Sequence, residues 1–399
     1  MPHVTDYIRW RGDIPFDNDQ LNEVDNLIFC LLSYVDLNGA VPSDINQCVT
    51  LREAAKEYFF THDPSDERPL GLIVPREIVM LFRQMADAPR YRDLLLCGYV
   101  NEICEQKQVQ FSAVTIRLPG DTWFVAVRGT DDTIVGWRED FNLSWMDEVP
   151  AQRMTADYLD ALPLTSTSRL YVGGHSKGGN LAVWGAVHAS KETRNKMVRV
   201  FSNDGPGFSD KMLESEAYRS LADRIDCLVP QSSLVGMLLS HDMRDVIRSS
   251  QLGIFQHNGL SWEVMGGHFI RSDGLSGRGK RNDSVIRARI DSMTMEDRQK
   301  FTELFFGILE STGARTLTEL NNGSIRNVIT MLRTVGDMDK DTKEMALYLI
   351  GKLFDIRPLT AARNARKTRG VHIEFGFRLR KNRRKPDDQL AKQGKDMQK

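Results

Sequence analysis

The sequence predicts an α/β fold with a mostly parallel sheet flanked by helices. An apolar strand at 169–174 is followed by an Ala-rich helix at 179–190 and a second apolar strand at 197–202. The order strand, helix, strand indicates a parallel crossover, because parallel neighbours need a long connection. Further strand-like runs at 225–229 and 246–255 extend the sheet. A chain of 399 residues is long enough to cover both faces of such a sheet.

The N-terminal part of the chain has a helical pattern over residues 22–93. Apolar residues recur at intervals of three and four, as in Val24, Leu27 and Ile28. We therefore predict an N-terminal helical lead-in, residues 1–93, packed on the sheet.

A strand-like period follows, with two strands at 111–118 and 123–127 joined by a tight turn at 119–121. Together with the parallel strands, this hairpin defines a predicted core domain at 94–271.

The chain beyond this core is predicted to be helical and then basic. A Gly/Ser-rich charged stretch at 272–284 indicates a linker. Thr294 is the expected N-cap of a helix with one apolar face, which ends near Gly313. We expect a C-terminal helical region at 285–356 and a basic, flexible tail at 357–399.

Composition indicates a soluble globular protein and argues against a nucleic-acid partner. The chain is 41% hydrophobic, and its 53 basic and 54 acidic residues nearly balance. The basic tail leaves peripheral membrane contact as an option. The N-terminus lacks an export signal and no apolar run approaches the roughly 18 residues of a membrane span. A cytoplasmic location is the expectation.

The motifs of metal and nucleotide sites are missing from the sequence. The five cysteines form no CxxC pair, and the chain has no HExxH, no GxxxxGK[ST] and no GxGxxG that opens a helix. We predict a protein that needs no metal and no organic cofactor.

The strongest chemical motif is GHSKGG at residues 174–179. It has the GxSxG spacing of a nucleophile elbow, with an apolar strand before it and a helix after it. Glycines leave room around the strained turn, which points the hydroxyl of Ser176 outward. The following helix N-terminus favours negative charge, so the backbone N–H of Lys177 is a candidate oxyanion donor. Ser176 is the predicted nucleophile.

A hydroxyl nucleophile needs a base, and in this type of fold the base follows the serine and the acid along the chain. This order excludes the histidines up to residue 175, and His188 lies within the helix predicted at 179–190. The histidines that remain as candidates are His241, His257, His268 and His372. His257 is preferred because it follows a strand-like run and opens a Gly/Asn turn, where catalytic loops lie. His268 is the main alternative.

Asp204 is the preferred acid. It follows the strand that ends near residue 202 and enters a Gly/Pro turn at the edge of the sheet where α/β sites form. The alternative role for Asp204 is that of a turn residue. Asp226, within a strand, and Asp242, beside His241, are the other candidate acids.

A second oxyanion donor is expected in the loop after an earlier strand, where Arg128, Gly129 and Thr130 lie. The backbone N–H of Thr130 is the candidate. Residues 137–147 then mix aromatic and acidic side chains. This amphipathic stretch suits either a lid over an acyl pocket or a helix packed on the core.

These motifs together resemble the lipase class three branch of the α/β hydrolases. FVAVRGT at 124–130 is similar to the oxyanion-loop strand of these lipases, and residues 174–179 to their nucleophile motif. A closer resemblance is to a bacterial domain of unknown function related to these lipases. The motifs that carry it are RGTDD at 128–132, GWRED at 136–140, DGPGF at 204–208 and PQSS at 230–233.

This resemblance spans about residues 22–313 and implies a hydrolase fold with a serine esterase, lipase or lysophospholipase-like activity. Two positions depart from the lipase pattern. Lys177 replaces the apolar residue that usually follows the nucleophile, and Cys227 occupies the usual place of the acid. The second departure favours Asp204 as the acid.

The sequence therefore predicts a serine hydrolase that cleaves carboxylic esters through an acyl-enzyme, with a small acyl ester or lipid as substrate. Ser176 attacks, His257 transfers the proton, Asp204 orients His257, and the amides of Lys177 and Thr130 bind the oxyanion. The alternative hypothesis is a hydrolase fold without catalysis that serves as a binding or scaffold protein.

Overall fold

An eight-stranded sheet forms the centre of the fold, and its strands follow chain order from one edge to the other. The computed structural model describes residues 1–63, 70, 74–233, 235, 244–275 and 293–322. The strands of the sheet are β1 (Cys48–Thr50), β2 (Leu95–Cys104), β3 (Val109–Leu118), β4 (Thr122–Val127), β5 (Arg169–His175), β6 (Met197–Asn203), β7 (Ile225–Pro230) and β8 (Asp245–Ile247). A separate short pair is formed by β9 (Val264–Met265) and β10 (His268–Phe269).

The sheet changes direction at β4. From β1 to β4, each strand runs antiparallel to the next one, and the predicted hairpin is the pair β3 and β4. Strands β4 to β8 are parallel, as the crossover pattern predicted. Their carboxyl ends therefore share one edge of the sheet, where α/β proteins place their sites.

Helices cover both faces of the sheet. They are α1 (Val4–Arg11), α2 (Glu23–Leu32), α3 (Leu51–Thr61), α4 (Glu77–Asp87), α5 (Ile134–Asn142), α6 (Pro150–Asp160), α7 (Lys177–His188), α8 (Lys191–Lys196), α9 (Asp210–Leu213), α10 (Glu216–Leu221), α11 (Met295–Glu310) and α12 (Leu317–Asn322). Within the described ranges, none is long and apolar enough to cross a membrane.

Alternating side chains of the strands divide the core into two layers. Phe124 of β4 packs with helices α1 to α4, whereas its neighbour Val125 packs with α6 and α7 on the opposite face. This alternation follows from the two-residue period of a strand. The predicted α/β fold, a mostly parallel sheet flanked by helices, is confirmed.

One strand was not predicted, and one predicted strand was wrong in its extent. The long strand β2 was not expected, since Gly98 (φ +64°) and a register shift between Cys97 and Val100 interrupt its apolar alternation. The strand predicted at 246–255 is confined to β8, and residues 253–257 instead form a 3₁₀ helix. Gly253, with φ +60°, breaks the extended run.

The C-terminal segment packs against α5. Thr294 caps α11 as predicted, by accepting a hydrogen bond from the N–H of Asp297. Phe141 of α5 stacks on Phe305, with ring centroids 5.8 Å apart, and meets Phe306 edge-on at 5.2 Å. Residues 276–292 and 323–399, which hold most of the predicted linker, helical region and tail, lie outside the described residues. The predicted domain boundaries therefore stay predictions.

A buried ion pair ties the N-terminal segment to the end of α4. The side chains of Arg90 and Asp25 are both fully buried, with Arg90 Nη2 2.6 Å from Asp25 Oδ2. Arg90 also donates to the carbonyl oxygens of Ile14, Asp19 and Gln20. Every charge in this cluster is matched, which is the condition under which a buried pair is tolerated.

We predict that Arg90→Met lowers the free energy of unfolding by about 3–5 kcal/mol, because the Asp25 carboxylate is left buried without its counter-charge. Urea unfolding measures the loss. The control is Arg52→Met, which breaks an exposed pair with Asp93 and is expected to cost less than about 1 kcal/mol. Equal losses in the two variants would contradict the prediction.

Candidate active site

Ser176 lies on a strained turn between β5 and α7. Its backbone has φ +60° and ψ −134°, a conformation that side-chain-bearing residues rarely adopt. The N–H of Ser176 donates to the carbonyl oxygen of Asn203 at 2.9 Å, which fixes the turn against β6. A Cβ on Gly178 would lie 2.2 Å from the carbonyl oxygen of Val127, so only glycine lets α7 start so close to β4. This is the geometry of a nucleophile elbow.

Asp204 and His257 meet at the same edge of the sheet. His257 Nδ1 lies 2.6 Å from Asp204 Oδ2, and both side chains are buried. The other carboxylate oxygen, Oδ1, accepts a hydrogen bond from the hydroxyl of Ser233, which follows β7. The backbone of Asp204, with φ +52°, donates its N–H to the carbonyl oxygen of Leu228. Asp204 thus has a partner for each of its side-chain oxygens.

The alternative candidates lie elsewhere or outside the described residues. The His268 side chain is 79% exposed and lies 3.6 Å from Glu23. Asp226 is paired with Arg199 at 3.2 Å. His241, Asp242 and His372 fall outside the residues that the structure describes.

His175 connects the turn at Ser176 to the loop that carries His257. Its Nε2 donates to the carbonyl oxygen of His257 at 2.8 Å, and the rings of the two histidines lie 4.5 Å apart. A neutral imidazole has one N–H, so Nδ1 accepts from the Tyr34 hydroxyl at 3.0 Å. Burial, followed by the charge of His257, lowers the pKa of His175 to about 3. His175 therefore stays neutral and holds the His257 loop.

The Ser176 hydroxyl is not hydrogen-bonded to His257 in this structure. Among the hydrogen bonds of the described residues, none joins Ser176 Oγ to the His257 ring. In enzymes without substrate this contact is often long and closes only when substrate binds.

The two predicted oxyanion donors flank Ser176. Lys177 is the first residue of α7, so its N–H has no acceptor within the helix. Thr130 follows Gly129, where an added Cβ would lie 3.1 Å from Ser176 Cβ. The loop that ends β4 therefore passes directly beside the serine.

Asp140 of α5 holds the side chain of Thr130, whose hydroxyl donates to Asp140 Oδ2. The Asp140 Oδ1 atom is enclosed and has no hydrogen-bond partner among the described residues. Burial raises the pKa of Asp140 to about 6, although the Lys177 ammonium and the Thr130 hydroxyl both lower it.

A carboxyl group with a raised pKa binds more protons in the folded protein than in the unfolded one. Asp140 therefore favours folding below its usual pKa of 3.8, and this contribution is lost as the pH rises to about 6. We predict that wild type, relative to Asp140→Asn, loses about 2 kcal/mol of unfolding free energy between about pH 4 and about pH 7. Urea unfolding of both proteins at both pH values measures this double difference. A double difference near zero would show that Asp140 has the same pKa in the folded and the unfolded protein.

The contacts of Glu139 and Asp140 and the role of His175 were not predicted from the sequence. Glu139 and Asp140 stand in an aromatic stretch and were assigned no role, yet Glu139 is fully buried and pairs with the Lys177 side chain at 2.9 Å. Lys177 at a buried helix start requires a counter-ion, but no local pattern identifies Glu139 as that partner.

Comparison with known proteins shows the family to which this chain belongs. A family model described as Mbeg1-like matches residues 85–307, a range that contains Ser176, Asp204 and His257. A structure described as the crystal structure of M37 lipase is 15% identical, with a TM-score of 0.33, over 53% of this chain and 68% of that chain. A search of curated proteins found no match.

The Mbeg1-like match covers more than half of the chain. The chain belongs to the Mbeg1-like family.

Proposed function

We propose that this protein is a serine hydrolase that cleaves carboxylic esters, with Ser176 as nucleophile, His257 as base and Asp204 as the orienting acid. The observation that carries the proposal is the 2.6 Å contact between His257 Nδ1 and Asp204 Oδ2, at the sheet edge where Ser176 occupies its strained turn. A serine at an elbow, a histidine and a buried carboxylate are the three parts that this chemistry requires.

The tautomer of His257 follows from its partner. A carboxylate accepts hydrogen bonds, so Nδ1 carries the proton that is shared with Asp204. Nε2 is then the basic nitrogen and takes the proton of the Ser176 hydroxyl as Oγ attacks the ester carbonyl. Closing the contact between Ser176 and His257 is the step that substrate binding supplies.

The attack creates a tetrahedral oxyanion, which the backbone N–H groups of Lys177 and Thr130 stabilise. When the intermediate collapses, the imidazolium of His257 gives its proton to the departing alkoxide, and the acyl group stays on Ser176. Water, deprotonated by the same imidazole, then hydrolyses this acyl-enzyme and restores the serine.

The surroundings of His257 favour an apolar acyl group. Leu252 and Phe255, just before His257, are 79% and 65% exposed. Two exposed apolar side chains on the loop that carries His257 are suited to contact with an acyl chain or a lipid. The proposed substrates are accordingly acyl esters of the lipase, esterase or lysophospholipase type.

We predict that a fluorophosphonate probe labels wild type, and that Ser176→Ala abolishes labelling and hydrolysis of p-nitrophenyl esters. His257→Ala is expected to lower the labelling rate by at least about 10³-fold, because the serine loses its base. Mass spectrometry locates the label, and ester turnover gives kcat.

The matched control is His268→Ala, which removes an exposed histidine and is expected to keep full activity. Folded wild-type protein that takes no label would refute the hydrolase proposal and support the binding or scaffold alternative.

The acid is tested separately. Asp204→Asn preserves shape but lets His257 adopt the wrong tautomer, so kcat is expected to fall by about 10³–10⁴-fold. Asp226→Asn, at a carboxylate paired with Arg199, serves as control and should leave kcat unchanged. If Asp226→Asn proves the more damaging variant, the acid has been misassigned.

A further inference from the structure

The side chain of Lys177 enters the protein interior, away from solvent. Its Nζ donates three hydrogen bonds: to Glu139 Oε2 at 2.9 Å, to Gln110 Oε1 at 2.7 Å and to the Gln110 carbonyl oxygen at 2.9 Å. The side chains of Lys177 and Glu139 are both fully buried. An ammonium has three protons, so this ion is completely satisfied.

The partners of Lys177 reach further segments of the site. Glu139 Oε2 also accepts from the N–H of Gln110 at 3.0 Å, and Oε1 accepts from the N–H of Ala151 at 2.9 Å. The Gln110 side chain in turn donates to the carbonyl oxygen of Gly129 at 3.3 Å. One buried cluster, comprising Lys177, Glu139 and Gln110, thus joins α7, α5, α6, β3 and the loop after β4.

Both proposed oxyanion donors belong to segments held by this cluster. Lys177 supplies one N–H from its own backbone. Thr130, which supplies the other, directly follows Gly129, whose carbonyl oxygen the cluster binds. Asp140, the neighbour of Glu139 on α5, accepts the hydrogen bond of the Thr130 hydroxyl. Rotation or displacement of α5 would therefore move the loop of one donor relative to the helix of the other.

Stability alone gives little reason to bury this pair. A buried ion pair gains little over well-packed apolar residues of similar volume, because desolvation offsets the attraction. An apolar residue after the nucleophile would fill the same place at the start of α7. The ion pair is directional, whereas an apolar contact is not, because each hydrogen bond fixes a distance and an angle.

We propose that Lys177 and Glu139 are positioning residues that set the separation of the Lys177 and Thr130 amides in the oxyanion hole. This inference rests on the proposed function, since it requires that Ser176 forms a tetrahedral intermediate. The side chains of Lys177 and Glu139 act through the backbone and touch no substrate atom. Their effect is accordingly on kcat, because the oxyanion exists in the transition state and not in the bound ester.

The test compares two isosteric changes of fully buried, ion-paired carboxylates. Glu139→Gln alters the cluster at the site, and Asp25→Asn alters the pair with Arg90 on the other face of the sheet. Each variant is measured for unfolding by urea, for kcat and KM with p-nitrophenyl butyrate, and for the rate of fluorophosphonate labelling.

Both variants are expected to lose stability, but only Glu139→Gln should lower kcat, by about ten- to a hundred-fold, with KM within about three-fold of wild type. Its labelling rate should fall by a similar factor, since phosphonylation uses the same donors. A folded Glu139→Gln protein with kcat within about two-fold of wild type overturns the inference. An equal loss of kcat in Asp25→Asn overturns it as well.

A second variant covers the case in which Glu139→Gln does not fold. Lys177→Met combined with Glu139→Gln leaves no charge within the cluster of Lys177, Glu139 and Gln110, so it is expected to fold and still to lose kcat by about ten-fold or more. Full activity in this double variant overturns the inference while the proposed function stands. Wild type that neither hydrolyses the ester nor takes the label overturns both together.

Discussion

The turn at Ser176 is the constraint on which the rest of the site depends. A non-glycine residue at φ +60° costs about 1–3 kcal/mol, so neighbouring segments must hold it. Asn203 does this twice: its carbonyl oxygen accepts the Ser176 N–H, and its side chain donates to the Gly174 carbonyl oxygen. Asn26 of α2 binds the Asn203 amide from the other side. The side chain of Asn26 therefore supports the elbow from α2.

The parallel order of the strands is the second feature on which the site depends. Because β4 to β7 end at one edge, Thr130, Ser176, Asp204 and Ser233 arrive within reach of one another although about a hundred positions separate the first from the last. Hydrogen bonds then fix the orientation of these side chains. Ser233 bonds to Asp204, Asp204 bonds to His257, and the neutral His175 bonds to the backbone of the His257 loop. The site is thus built from satisfied buried hydrogen bonds, which lose most when one partner is removed.

The sequence predicted what depends on local pattern. The crossover, the hairpin, the elbow at Ser176 and the cap at Thr294 are short-range features, and the structure contains each of them. Chain order and the helix that contains His188 narrowed the candidate histidines to four, and the turn after β6 singled out Asp204, which the structure places against His257. The strand β2 was missed because a bulge breaks its period. Glu139 was missed because its partner, Lys177, lies 38 positions away, and no local pattern encodes such a pairing.

We propose that Ser176, His257 and the two amides converge on one reacting carbon. A crystal structure of the protein after reaction with a short alkyl fluorophosphonate tests it most directly. We predict phosphorus bonded to Ser176 Oγ, a phosphonyl oxygen about 2.7–3.1 Å from the nitrogens of Lys177 and Thr130, and His257 Nε2 within hydrogen-bond distance of the adduct. A phosphonyl oxygen that points away from both amides, or a His257 ring out of reach of the adduct, would contradict it.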